Sequence, residues 1–432
     1  MRQDIISKYF FILFSLIPLS LVIGSAVSSI NILLIAISFL FYSFYKKEWN
    51  WAKDKNIILL FVIYFYLIIN SFISIDYSGG MIRNLGFVRF ILFFAAFNYF
   101  FYHYEKFNKI FVIWIVVLLV VTLDVYLESI TGKNMLGQGE GHDRVGSFFG
   151  DEQKVGGYIF CFYLLITGFL LNFLKPKSKK NNYIILLFSL FFLFSIVATG
   201  ERSNAMKAII AFLIFFSFSS NFLLKEKIIS LLSVIVISGF VYSNSEFVKL
   251  RYGKQLFWKL ESINHVINFF KDPSFDGTTN NDDFHRAIGT KYFQLYASGI
   301  AVFKDHPYFG VGNKNYRIVT CPVPWPDDWN EKYLCNTHPH QVYFEFLAEH
   351  GIIGTTILLV VFFTLIFKIL RNVIISKNDL QLSSLIYVFL VFLPLLPSGA
   401  FFNDYYSTLF WINLSLMFAI SRETNIYNLK NL

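Results

Sequence analysis

Apolar stretches long enough to cross the ~30 Å hydrocarbon core of a bilayer, at about 1.5 Å per helical residue, recur along most of this chain with short polar breaks between them. In lipid every backbone N–H and C=O must find its partner within the protein, so runs of this length can only be membrane helices. The candidate spans cover 9–27, 29–45, 57–74, 86–102, 110–128, 155–174, 183–199, 204–222, 228–243, 341–367, 380–397 and 402–420. With 56% hydrophobic residues, the chain exceeds the roughly 45 to 50% of a soluble globular domain. The expectation is an all-α polytopic membrane protein of about twelve transmembrane helices. Arg2, Lys8 and the apolar run ending near Gly24 have the outline of a cleaved leader, but the many later spans favour an uncleaved first helix.

Lys and Arg in short loops are retained in the cytoplasm and so orient the spans. Just over half of the 37 fall in one alternating set of segments, from Arg2 and Lys8 through Lys46 and Lys47, Lys106 and Lys109, Lys175 to Lys180, Lys225 and Lys227, and Lys368 to Lys377, to Arg422 and Lys430. Both termini are therefore expected in the cytoplasm. The long segment between spans nine and ten then lies outside, dividing the chain into helices 1–9 (residues 1–243), a long outer loop (244–339) and helices 10–12 (340–432). A loop of that length usually has a function or its own structure. Residues 284–304 carry apolar side chains at helical intervals, followed by a turn at Pro307, Gly310 and Gly312 and a proline-rich excursion over 322–328. The net charge of +9 is largely accounted for by this sorting, and no basic stripe interleaved with aromatics suggests nucleic acid.

Basic groups on the outer side run against the insertion bias and so attract attention. Arg202 stands in the six-residue outer turn Thr199-Gly200-Glu201-Arg202-Ser203-Asn204, where its guanidinium could grip a phosphate through two parallel bonds, or instead pair with Glu201 or snorkel. Arg144 and Lys154 flank another outer loop, and Arg89 lies near the outer end of the fourth span; together these three could meet an anionic lipid headgroup, or each could simply be solvated or paired. Cys321 and Cys335 could close a short loop as a disulfide or remain free thiols.

The segment from Thr337 to Gly354 is the most informative. Thr337 can cap and Pro339 suits a first turn, which would put His340 at the positive end of a membrane helix, where a neutral imidazole able to accept a proton is favoured. His340, Tyr343, Phe344 and Leu347 would then share a face, with Gly351 and Gly354 allowing close approach of a neighbouring helix. Glu345 and Glu349 compete for the role of base. His338 and His340 could ligate zinc, but no further cluster has zinc-site spacing, and Gly310-Val311-Gly312 lacks the third glycine of a dinucleotide loop; no cofactor is expected.

His340, Gln341, Gly351 and Gly354 meet the pattern His-[Asn/Ser/Gln]-x9-Gly-x-x-Gly; with the turn His306-Pro307-Tyr308-Phe309-Gly310-Val311-Gly312 and Gly200-Glu201-Arg202-Ser203, the chain resembles the O-antigen ligase and polymerase superfamily of bacterial envelope biosynthesis. That resemblance implies a metal-independent inverting glycosyltransferase with GT-C-like helical architecture in the bacterial inner membrane, its site facing the periplasm. It implies a donor glycan on undecaprenyl pyrophosphate, and as acceptor a sugar hydroxyl of the lipid A core for a ligase or of a lipid-linked glycan for a polymerase. On this reading His340 handles the acceptor proton, while Arg202 and a long-loop cation, Arg286 or alternatively Lys291, stabilise the departing pyrophosphate; His338, Arg89, Arg144 and Lys154 contribute to binding. The ligase's Arg-x3-Leu pattern reads Arg202 to Met206 here, a mild departure. A lipid or polysaccharide transporter is the reading from another class, though transporters favour charges near the midplane and inverted repeats.

Overall fold

A computed structural model describes residues 2–139, 144–152, 154–174, 179–254, 291–321 and 333–428. Among them every regular element is helical. The helices are α1 (Arg2–Ser15), α2 (Ile17–Ile23), α3 (Ser25–Lys46), α4 (Lys55–Phe72), α5 (Tyr77–Gly86), α6 (Val88–His103), α7 (Ile110–Thr131), α8 (Val155–Phe173), α9 (Lys179–Ala198), α10 (Arg202–Phe218) and α11 (Leu224–Asn244). After the long loop begins come α12 (Lys291–Asp305), α13 (Tyr316–Thr320), α14 (Val342–Ser376), α15 (Asp379–Val391) and α16 (Asp404–Ala419).

Seven of the described helical segments are long and apolar enough to cross a membrane, or eight if α1 and α2, bent by 42°, count as one broken span. The four expected spans outside this set, α10, α11, α15 and α16, are helices too, α11 with 21 residues. α10, α15 and α16 have 17, 13 and 16 residues, so they are shorter than the apolar runs that suggested them, because part of each run is turn.

The helix that is apolar on every side sits in the middle. Of the most hydrophobic window of α8, 89% is buried, wrapped by α7, α9, α10 and α15, whereas α3, α4 and α7 bury 44% and turn residues such as Phe41 and Ile130 outward. Between helices in lipid, attraction comes from packing rather than from exclusion of water, and the interior is correspondingly dense in interlocked rings. Phe14, Phe93 and Phe97 form one such cluster, and Phe362, Phe392, Phe401 and Phe410 another.

The longest helix, α14, is broken at Gly351, whose φ of 61° takes the backbone out of the helix. A break inside a membrane helix strands amides and carbonyls, and here the His306–Gly312 turn takes them up. The amides of Ile352 and Ile353 donate to the Pro307 and Tyr308 carbonyls at 2.8 and 3.2 Å; the carbonyls of Ala348 and Glu349 accept from Val311 and Gly312 at 3.0 and 2.9 Å. This close approach requires glycine on both sides. A β-carbon on Gly351 would stand 2.3 Å from Tyr308 C, and one on Gly310 (φ 68°) 2.4 Å from Glu349 C. Of the two motif glycines, Gly354 does meet a neighbouring helix, through Tyr66 of α4, while Gly351 meets a turn of the long loop. Asn70 of α4 completes the joint by accepting from the Asn313 amide at 2.8 Å.

Candidate functional site

The Thr199-Gly200-Glu201 turn delivers Arg202 as the first residue of α10. Glu201 is buried, and its two carboxylate oxygens accept from Gly156 N at 2.7 Å and Asn204 Nδ2 at 2.6 Å. Burial pushes its carboxyl pKa up, opposed by those two bonds and by the Arg144 guanidinium. Arg144 is carried there because Val145 N donates to Thr199 O at 3.2 Å, while buried Glu128 of α7 holds the next two amides, Gly146 and Ser147, at 3.1 and 2.6 Å. Arg202 feels the fields of Arg144, Tyr292 and Tyr252 and reaches the Arg251 carbonyl at 3.5 Å. Arg251, itself buried in the wide turn Lys249–Lys254, donates to Gly200 O at 3.1 Å. Three guanidiniums therefore gather at one end of α10.

His340 reaches the same end of the bundle by a route the sequence did not suggest. The helix starts at Val342, later than a cap at Thr337 would require, and its cap is Gln341, whose side-chain oxygen accepts from Tyr343 N at 2.8 Å and Phe344 N at 3.2 Å. His340 therefore precedes the helix in a left-handed conformation (φ 57°) and is not on a helical face with Tyr343, Phe344 and Leu347. Its carbonyl accepts from Ser398 N at 2.8 Å. The adjacent Pro397 carbonyl accepts from Ser203 Oγ, one residue from Arg202, so the loop 392–403 ties the two together. Tyr292 of α12 adds a second link, with its ring 5.9 Å from the His340 ring and its hydroxyl within electrostatic reach of Arg202.

His338 lies against His340, ring centroids 3.9 Å apart, with Nδ1 3.0 Å from Thr337 Oγ1. Burial, then the neighbouring His340 and Lys314, drive the His338 pKa down to about 3, so this imidazole is neutral at physiological pH.

The remaining expected site residues divide. Arg89 donates to Asp404 at 2.7 Å beside Arg83, and Lys154 pairs with Glu152 and covers the Tyr405 ring at 5.0 Å; both therefore meet the start of α16 and have partners, whereas Arg144 stands beside Arg202. Arg286 lies outside the described residues. Lys291 begins α12, but its side chain lies outside the described part. Cys321 and Cys335 are joined, Cα atoms 4.7 Å apart. Glu345 and Glu349, the competing bases, are buried and turned to backbone: Glu345 accepts from Phe401 N with both oxygens at 3.0 Å, Glu349 from Tyr316 N at 3.4 Å. Among the described residues no group of three or more His, Cys, Asp or Glu could hold a metal ion. Arg251, Tyr292 and the loop 392–403 were not singled out by sequence. Most of that loop was expected to continue the spans 380–397 and 402–420, with only 398–401 between them, and Arg251 looked like any other outer basic residue.

Helices of membrane-spanning length surround a polar, cationic end with an adjacent histidine pair, the outline of a multi-pass membrane protein. Residues 187–359, which run from α9 through Arg202 and His340 to just past Gly354, match the family model described as O-Antigen ligase, which supports a place in the O-antigen ligase and polymerase superfamily. The match supports a ligase or polymerase type of function, glycosyltransferase-like, in a multi-pass inner-membrane protein. No curated protein sequence matches the chain significantly.

Proposed function

We propose that this protein is an O-antigen ligase-like glycosyltransferase, with all twelve expected helices crossing the inner membrane in a GT-C-like arrangement and the site at the periplasmic face. It moves a glycan from undecaprenyl pyrophosphate to a sugar hydroxyl of the lipid A core. The observation that carries this reading is the pair of bonds from Ser203 to Pro397 and from Ser398 to His340, which tie the neighbour of Arg202 and the main chain of His340 to one turn. In the reaction the acceptor oxygen attacks the anomeric carbon from the face opposite the leaving group. The bond from that carbon to the pyrophosphate oxygen breaks, the configuration inverts and the hydroxyl proton passes to His340. Negative charge grows on the leaving pyrophosphate, where Arg202 and Arg286 stabilise it, with Lys291 as the alternative to Arg286. Arg144 lends field to Arg202, and His338, neutral, supports the His340 ring by packing against it. No metal takes part.

The test is transfer by purified protein from a synthetic lipid pyrophosphate glycan, with lipid A core or a second lipid-linked glycan offered as acceptor and chelator present throughout. Transfer to the core supports the ligase. Extension of the lipid-linked glycan alone makes it a polymerase, and translocation without transfer makes it a transporter.

A further inference from the structure

Lys207 lies one helical turn below Ser203 and is 95% buried, with a relative exposure of 5%. Its ammonium, which has three protons to donate, makes one long bond, 3.4 Å to the Pro397 carbonyl. Among the described residues no carboxylate lies within salt-bridge distance of it. The nearest acid along the chain, Glu201, has its oxygens bonded to Gly156 and Asn204. Lys207 lines a cavity of about 60 Å³ together with Asn204, Ser398, Tyr387, Tyr406 and Phe410. Ser398 Oγ is buried and without a hydrogen-bond partner among the described residues.

A buried cation with one weak bond, a buried hydroxyl with none, and an empty space between walls that carry no acid are complementary to an anionic oxygen-rich group. At roughly 10 to 15 Å³ per water-sized position, the cavity has room for about four to six such positions. That suits one phosphoryl group. Its mixture of aromatic wall and deep-set charge suits a phosphate brought in on a lipid. We infer that Lys207 and Ser398 form a pocket for one phosphoryl group of the carrier lipid, below the Arg202 and His340 end of the site. This deepens the proposed function and rests on it. The guanidinium cluster and the Lys207 pocket would then grip the pyrophosphate from two sides of the Pro397–Ser398 turn.

The experiment is equilibrium binding of geranylgeranyl pyrophosphate to the full-length protein in nanodiscs, with geranylgeraniol and phosphatidylglycerol as parallel probes. Losing a charge-assisted bond costs roughly tenfold in affinity or more, so Lys207→Gln should weaken pyrophosphate binding about tenfold, and Lys207→Arg should restore most of it. Geranylgeraniol binding should not respond. Binding of the pyrophosphate by Lys207→Gln within about twofold of wild type, well inside one lost charged bond, overturns the pocket. So does a loss seen with phosphatidylglycerol but not with the pyrophosphate, which would make the site one for a bulk lipid headgroup. Should Lys207→Gln fail to accumulate, Ser398→Ala, which removes an unpartnered hydroxyl, carries the same comparison: weaker pyrophosphate binding supports the pocket and unchanged binding overturns it. Glycan transfer by wild type is measured separately. Lys207-dependent binding without transfer defeats the ligase reading alone, and transfer with Lys207-independent binding defeats the pocket alone.

Discussion

The Ser398 amide donates to the His340 carbonyl at 2.8 Å, and this bond fixes a residue that has left the ordinary backbone regions. A non-glycine residue at φ 57° is held against a local preference of about 1 kcal/mol or more, so the surroundings must over-determine it. His340 is therefore held in place by its main chain.

That arrangement separates main-chain from side-chain effects. His340→Gly should relieve the backbone conformation and His340→Ala should not, yet both lose the imidazole. Both variants should lose roughly 10²- to 10⁴-fold in transfer rate, the usual range for a general base. Protein level in the membrane should stay near normal, with the glycine variant at least as thermostable as the alanine one. Retained transfer in either variant removes His340 from the catalytic role.

Gly351→Ala should be among the most damaging single changes outside the site. The added carbon must occupy φ 61° and stand 2.3 Å from Tyr308 C, so backbone rather than a side chain has to move. The four main-chain bonds that mend the helix break would be disturbed together. Thermal unfolding in detergent should shift down by about 2 °C or more, as a loss of about 2 kcal/mol or more would produce in a chain of 432 residues. An unchanged transition would mean that the turn and the helix do not pair.

A pH effect follows from His338. Its folded pKa is about 3 against about 6.5 in the unfolded chain, so between these values only the unfolded state takes up the proton. Stability from this group is fully present above pH 6.5 and falls as pH drops toward 3. Wild type should thus lose more thermal stability between pH 7 and pH 4.5 than His338→Gln, which has no proton to gain. Parallel curves would show the imidazole to be solvated.

The Cys321 to Cys335 bond closes a loop with a sequence separation of 14, and a crosslink over such a loop restricts the unfolded chain by about 3 kcal/mol. Leu334, next to Cys335, donates to Ser298 Oγ of α12 at 2.9 Å, so the bridge also steadies α12, which carries Tyr292. Reduction should lower the unfolding temperature and slow transfer without abolishing it, and Cys321→Ser should mimic reduction. If Cys321→Ser matches wild type in both measurements, the bridge has no such role.

The apolar runs disclosed the helices because a run in lipid has one backbone solution, and the motif spacing pointed to His340 because its neighbours are local in the chain. The break at Gly351 was hidden. A glycine in an apolar helix reads equally as a packing surface or as a left-handed residue, and only the 306–312 turn, some forty residues earlier, decides between them. Likewise Arg202, Arg251 and Arg144 lie in three separate segments that chain order cannot bring together. Pro397 and Ser398 matter through a carbonyl and an amide, which carry no sequence signal at all.

The planar fork of Arg202 gives the last prediction. Set at the first position of α10, the guanidinium already reaches the Arg251 carbonyl at 3.5 Å and sits in the fields of Arg144 and Tyr292, so its direction is constrained on several sides. Lysine keeps the charge but replaces a rigid set of five donors by a mobile point charge, and it cannot hold two oxygens of a leaving pyrophosphate in parallel. If charge alone were needed, Arg202→Lys would be nearly silent. On the proposed mechanism geometry is needed as the charge develops, so Arg202→Lys should lose most of the activity, and Arg202→Ala roughly 10²- to 10³-fold, the range for removing one aligned donor to a growing anion. Initial rates at saturating lipid-linked donor, compared with those at limiting donor, distinguish a loss in the reacting complex from a loss in binding. A lysine variant within about twofold of wild type at both concentrations, less than one neutral hydrogen bond is worth, would leave Arg202 as a general surface charge and return the leaving group to other cations.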